Sequence, residues 1–228
     1  MSLERLLVAL LQWSVSNSYG NGINASGQVT GYSDTISNQN DGNAHAFVTN
    51  SNGQMSDLGT LGGGFSTGQG INDSGQVTGY SITANGHAHA FITNSDGQMI
   101  DLGTLVGGSD SYGNGINASG QVTGTHYAIN SSYNPIQHAF VTDNGVMRDL
   151  NTLLVDGITD WVLNDARGIN DAGQITGTGV HNGLTRAFVL TPVSAVPVPG
   201  AVWLFTSGLS LLAFTRRRKA QNIRLQYC

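Results

Sequence analysis

The chain has 228 residues, of which 32 are glycine, while charged residues make up only 10% and aromatic residues 7%. That length suits one sizeable all-β domain or a short repeat array with a tail, and glycine at fixed places argues for turns and tight packing rather than disorder. The net charge of -5 is uneven: Arg216, Arg217, Arg218, Lys219 and Arg224 hold five of the nine basic residues, so the body is acidic and nucleic acid is not expected as a partner.

The N-terminus opens as Met1-Ser2-Leu3-Glu4-Arg5, followed by an apolar stretch over 6–11. A secretory signal needs a basic start, a longer apolar core and small residues at the cut. Glu4 and Trp13 argue against one here. Residues 1–15 therefore read as a weak signal-like segment or as a strand that closes the body. Export calls for a true start further upstream.

Residues 16–191 are repetitive. Gly-Ile-Asn followed by a Ser-Gly-Gln or Ala-Gly-Gln turn begins at Gly22, Gly70, Gly115 and Gly168, at intervals of 48, 45 and 53 residues. His-Ala-Phe begins at His45, His89 and His138 and returns as Arg186-Ala187-Phe188. Asp-Leu-Gly-Thr-Leu begins at Asp57 and Asp101 and survives as Asp149-Leu150-Asn151-Thr152-Leu153. Residues 16–31 and 109–124 differ at one of sixteen positions, which points to duplication of a unit.

Each unit parses into four short strands. The first runs into Gly-Ile-Asn, and the second is Gln76-Val77-Thr78-Gly79-Tyr80 or its counterpart. The third is His89-Ala90-Phe91-Ile92-Thr93, and the fourth is Gln98-Met99-Ile100-Asp101-Leu102 after a tight Asn94-Ser95-Asp96-Gly97 turn. In the third strand Phe47, Phe91 and Phe140 lie on one face and the flanking small and branched residues on the other, so both faces offer apolar surface. Glycine and small residues in the second strand would let sheets approach closely. Four strands in roughly 45 residues is the arithmetic of a propeller blade, with a β-solenoid as the competing architecture. The expected fold is all-β: about four propeller-like blades, possible closure by residues 8–15, and one C-terminal hydrophobic helix. The fourth unit stops after its third strand, at Thr191.

The repeated side chains are weighed as chemistry. His45, His89 and His138 occupy equivalent positions of different units, so they should not converge on a metal, and a bond to a backbone group of the next strand is the favoured role. Asp73, Asp96, Asp143 and Asp171 fall in turns without the dense Asp-x-Asp-x-Asp-Gly loop of a calcium site. Asn24, Asn72, Asn117 and Asn130 open Asn-x-Ser triplets, read as turn residues rather than as glycosylation acceptors. Glu4 is the only Glu, and no nucleophile elbow, phosphate loop or Cys–His pair occurs. No catalytic, cofactor or metal residue is expected. The third strand's His45, Phe47, His89, Phe91, His138 and Phe140 are structural.

After Thr191 the chain changes character. A linker, 192–199, carries Pro192, Pro197 and Pro199, and an uncharged apolar run over 200–215 ends at Arg216-Arg217-Arg218-Lys219. As a helix that run would reach about 24 Å at ~1.5 Å per residue, marginal against ~30 Å of bilayer hydrocarbon but adequate with its flanks. The cations would hold the end, with the short tail 220–228, on the cytoplasmic side.

Val196-Pro197-Val198-Pro199, the apolar run and the basic cluster at Arg216, Arg217, Arg218 and Lys219 resemble a PEP-CTERM sorting signal over residues 196–219. Val198 stands where that family has Glu. The resemblance implies recognition by an exosortase, a membrane enzyme of bacteria that make exopolysaccharide. The body, over most of 16–190, resembles the HAF-repeat family of extracellular proteins, named for the triplet at His45, His89 and His138. That family implies location and architecture, not an activity. The expectation is a non-enzymatic, exported protein, held at the membrane or released to the surface or an exopolysaccharide matrix. Its expected partners are the sorting enzyme, the inner membrane and exopolysaccharide; a glycan- or small-ligand-binding module is the alternative, with a hydrolase or lyase behind it.

Overall fold

Each repeat folds as an antiparallel meander, because two turn signals and one polar loop divide four short runs of β-formers. The computed structural model describes residues 17–34, 43–129, 135–155, 158, 160–193 and 222–226. The first unit comprises β1 (Ser18–Ile23), β2 (Val29–Asp34), β3 (Ala44–Thr49) and β4 (Met55–Asp57). The second comprises β5 (Gly62–Ile71), β6 (Val77–Thr83), β7 (Ala88–Thr93) and β8 (Met99–Asp101). In the third, β9 (Gly108–Ile116), β10 (Val122–Ile129), β11 (Pro135–Asp143) and β12 (Val146–Asp149) lead into a 3-10 turn, Leu150–Leu153. The fourth has β13 (Trp161–Ile169), β14 (Ile175–His181), β15 (Leu184–Val193) and β16 (Asn222–Gln226). A parallel bridge between Ala44 and Phe65 joins the first two units into one eight-stranded sheet, so the chain is all-β with three sheets, none closed on itself.

The turn between first and second strands shows why its sequence recurs. The Asn72 side-chain oxygen accepts from the N–H groups of Ser74 (3.1 Å) and Gln76 (3.0 Å), while the Asn72 N–H donates to the Gln76 carbonyl (3.0 Å). Gly75 closes the turn at φ 80, a conformation that costs glycine nothing. The glycine of Val-Thr-Gly answers a different demand. Each first strand bulges at its Gly-x-Gly (Ala166-Arg167-Gly168 in the fourth unit), and a Cβ on Gly31, Gly79, Gly124 or Gly177 would run into the carbonyl oxygen of Tyr19, Thr67, Tyr112 or Asp165. The close approach between units is made by small residues of the second strand, Thr30 and Thr78, against the first-strand glycines Gly68 and Gly113 of the next unit.

Units stack face to face through the third strand. Phe91 and Ala90 are both fully buried although they point to opposite faces. Phe91 packs with Val77 against Ala46 of the first unit, and Phe140 packs with Val122 against Ala90 of the second. A sheet buried on both sides is thus made by alternating one large and one small residue. The third interface is larger, with Ala139, Val141 and Leu150 meeting Trp161, Leu163, Phe188 and Leu190. Each such aromatic or branched side chain taken from water is worth ~1.5–3 kcal/mol, so the core of this protein is its interfaces.

The fourth unit obtains its last strand from the C-terminus. β16 pairs antiparallel with β15 from Val189–Gln226 to Val193–Asn222. Residues 8–15, considered for that role, lie outside the described residues, as does the helix expected over 200–219. Among the described residues no helix is long and apolar enough to cross a membrane. The β15–β16 pairing has a topological consequence. It puts 222–226 on the same side of any bilayer as the repeats, whereas one crossing by 200–215 would put them on the other. The paired strand and a single crossing exclude each other.

Candidate functional site

The residues marked by repetition hold the units together. His45, His89 and His138 were expected to bond a backbone group of the next strand, and the structure gives each a side-chain partner in its place. Each ring Nδ1 instead meets the carboxylate of the aspartate on its own unit's fourth strand: Asp57 at 2.9 Å, Asp101 at 2.9 Å and Asp149 at 2.7 Å. Strand pairing explains the choice, because Phe47, Phe91 and Phe140 sit opposite these aspartates and the histidine two residues earlier reaches the same edge. The three histidines are each engaged within a unit, and no group of three His, Cys, Asp or Glu among the described residues could hold a metal ion.

The asparagines do more than turn the chain. Asn24 donates through Nδ2 to the Asn72 carbonyl (3.0 Å), Asn72 to that of Asn117 (3.0 Å), and Asn117 to that of Asn170 (3.3 Å). This ladder links all four units and buries the first three side chains. Two turn aspartates add to it: Asp73 accepts from the Ala25 N–H (2.9 Å) and Asp171 from the Ala118 N–H (2.8 Å). Asn130 and the sorting residues Val196, Pro197, Val198, Pro199, Arg216, Arg217, Arg218 and Lys219 lie outside the described residues.

What the repeats bring together as a candidate site is a cleft along the first strands. Six rings form a continuous row across three units: Tyr19–Tyr32, Tyr32–Phe65, Phe65–Tyr80, Tyr80–Tyr112 and Tyr112–Tyr127, with centroids 4.8, 5.8, 5.8, 4.8 and 5.5 Å apart. These spacings are those of mutually attractive aromatic pairs. At the Tyr127 end the row opens into a cleft of about 450 Å³, lined by Gln69, Tyr80, Tyr112, Thr125, Gln137 and Asp165, with Asn114, Tyr127 and Arg167 beside them.

The cleft floor is a fixed polar network. Asp165 Oδ1 accepts from Thr125 Oγ1 (2.6 Å) and Asn114 Nδ2 (3.1 Å), and Oδ2 accepts from Arg167 Nε (2.7 Å). The Asp165 side chain is 15% exposed and that of Arg167 70%, so the carboxylate is held inside while the guanidinium faces solvent. Burial raises the pKa of Tyr80, Tyr112 and Tyr127, with Asp165 adding to the effect at Tyr127 and Asp110 at Tyr112. Their phenols stay neutral and able both to donate and to accept.

Sequence reasoning missed this cleft because it treated the tyrosines as strand residues. A signal was present. One repeat position reads Tyr19, Thr67, Tyr112 and Asp165 through the four units, and another reads Tyr32, Tyr80, Thr125 and Thr178. Each of the first three units thus holds at least one tyrosine at the two positions, and the fourth holds none.

A second cavity of about 440 Å³ lies at the outer edge of the third unit, lined by Leu105, Met147, Leu153, His126, His138 and Asp149 among others. His126 is 3% exposed and its Nδ1 has no hydrogen-bond partner. No family model matches the chain, and no curated protein matches it.

Proposed function

We propose that the protein is a non-enzymatic, exported repeat protein of the cell surface or exopolysaccharide matrix, delivered by its C-terminal tail. The observation that carries this is the order of the tail: the Pro-x-Pro element at Pro197 and Pro199, the uncharged run over 200–215, and the cations at Arg216, Arg217, Arg218 and Lys219. Such a tail is a substrate for an exosortase-type enzyme in the inner membrane. The body suits a structural part, because the His and Asp that recur in three units and the Asn that recurs in all four are engaged in turns and in links between strands or units. Its architecture is propeller-like. Four meanders of four strands stand side by side with their first strands in contact, as blades do along an axis.

β16 adds a further condition. Cleavage near Pro197 would strip this strand from β15 and leave an open edge, to which another strand could add. The uncut protein would either keep β16 paired or cross the membrane.

Intact mass and fractionation in a host carrying an exosortase test the proposal, combined with labelling of Cys228 in spheroplasts by a membrane-impermeant maleimide. Loss of the segment after about Pro197, with the body outside the cell, is the expected result. An uncut membrane protein whose Cys228 is protected makes 200–215 a plain anchor, and an uncut protein labelled at Cys228 retains β16 on the repeats' side. Uncut protein confined to the cytoplasm in this host ends the export reading.

A further inference from the structure

We propose that the cleft between the second, third and fourth units binds a neutral oligosaccharide, its sugar rings lying along the tyrosine row. This goes beyond the export reading and rests on the geometry of the cleft alone.

The cleft is of the right size and composition. At about 450 Å³ it falls within the ~300–1,000 Å³ typical of small-ligand sites. One side is aromatic, with Tyr127 37% exposed at its rim. The lining also carries the amides of Gln69 and Gln137. No hydrogen bond engages the side chains of Gln69 and Gln137 or the hydroxyls of Tyr80, Tyr112 and Tyr127 among the described residues. Each amide offers two donors and an oxygen acceptor, and each phenol offers one donor and an acceptor oxygen. Arg167, which also lines the cleft, meets Asp165 through Nε, and no hydrogen bond among the described residues engages its terminal nitrogens.

Asp165 is held from three directions before any ligand arrives, so its one remaining acceptor site, on Oδ2, is fixed without further loss of side-chain freedom. The ligand that matches this surface has closely spaced hydroxyls, each both donor and acceptor, and an apolar C–H face for a tyrosine ring. A pyranose has both. The buried carboxylate and the acidic body disfavour an anionic glycan. A purely apolar ligand would leave the amides and hydroxyls unpaired, which is costly.

The row is also asymmetric in the way a site demands. A ladder that served only to pack units would continue into the fourth. Each of the first three units places at least one tyrosine at the two repeat positions (Tyr19 and Tyr32, then Tyr80, then Tyr112), whereas the fourth has Asp165 and Thr178, and the row ends at Tyr127 beside that polar floor. In the other direction it runs back through Phe65 to Tyr19, giving a longer saccharide a track beyond the cleft.

Affinity electrophoresis of the full-length chain in a non-sugar detergent tests this, with dextran, laminarin or galactomannan in the gel and alginate as the anionic counterpart. At least one neutral polysaccharide should retard the protein. Tyr127→Ala, Gln137→Ala and Arg167→Ala should each weaken that retardation by about tenfold, equivalent to ~1.4 kcal/mol. Tyr127→Phe, which keeps the ring, should fall between, and His45→Ala at another edge should leave it unchanged. Arg167 is exposed enough that its removal leaves folding intact, which thermal melting would verify. Absence of retardation by all three neutral polymers, retardation by alginate alone, or equal retardation of every variant overturns the proposal. None of these outcomes touches the export reading, which fractionation decides separately.

Discussion

The second and fourth units present the same face to different surroundings. In the second, Thr78 and Ala90 are fully buried beneath the third unit. In the fourth, their counterparts Thr176 and Ala187 are exposed, and Val162 and Val180 beside them are 44% and 36% exposed. The backbone is the same: Thr78 donates to the Phe91 carbonyl at 2.8 Å and Thr176 to that of Phe188 at 3.2 Å. What differs is the neighbour. Burial in this protein is a property of the interface and not of the strand, as expected for an array whose units cannot hide their own apolar faces.

The sharpest way to break the comparison is to place a charge at both positions. Ala90→Glu would bury an unpaired carboxylate between two sheets and should cost several kcal/mol, enough to unfold the central units. Ala187→Glu should change stability by no more than ~0.5 kcal/mol, because the new carboxylate reaches water. Urea denaturation of both variants measures the difference. Equal damage would mean that the fourth unit's face is covered in solution, by another copy or by ring closure.

A smaller effect separates the two ends of the asparagine ladder. Asn72 is buried, holds its own turn and reaches the third unit, so Asn72→Ala leaves the Ser74 and Gln76 N–H groups and the Asn117 carbonyl without their partner. A cost of ~1–3 kcal/mol is expected. Asn170 takes part in the ladder only through its carbonyl; its side chain is exposed and, among the described residues, bonds within its own turn, to Gln174. Asn170→Ala should cost under ~1 kcal/mol, readable as a smaller shift in the same urea midpoint. Matching losses would show that Asn170 also reaches across an interface.

The fold was readable in the sequence where a residue's role is local. The turn after Gly-Ile-Asn, the four-strand parse and the double-sided burial of Phe91 and Ala90 all follow from spacing and residue type. The histidine partners were not readable, because Asp57 lies twelve residues from His45 and only the register of β3 against β4 brings the two together. The inter-unit reach of Asn24, Asn72 and Asn117 was hidden for the same reason: the local turn already accounted for the residue. Asp165 was invisible as a site residue, since its partners Asn114 and Thr125 come from another unit. β16 shows the limit most clearly. Its sequence shares nothing with Asp-Leu-Gly-Thr-Leu, and what qualifies it is an unpaired edge on β15 that almost any short extended segment can fill.

The smallest expected effect concerns a position where the third unit departs from the second. Ser81, fully buried, accepts from the Leu61 N–H at 2.8 Å. Its counterpart in the third unit is His126, equally enclosed but with Nδ1 unpartnered. Burial lowers the His126 pKa, His138 lowers it further, and Asp149 opposes them weakly. Arg148 lines the same cavity and is paired with Asp143 at 3.2 Å. The unfolded chain, with an ordinary histidine near ~6.5, therefore takes up a proton before the folded chain does. The sign follows. This group's contribution to stability is complete above ~6.5, declines as pH falls through that value, and stops declining once pH drops below the depressed native pKa. His126→Ser restores the residue used in the second unit and should flatten this part of the stability profile between pH 8 and pH 5.5. The cavity left by the smaller side chain lowers stability at every pH, so the informative quantity is the slope of melting temperature against pH and not its height. An unchanged slope would mean that water reaches the imidazole through the cavity, and that the enclosure of His126 has no electrostatic consequence.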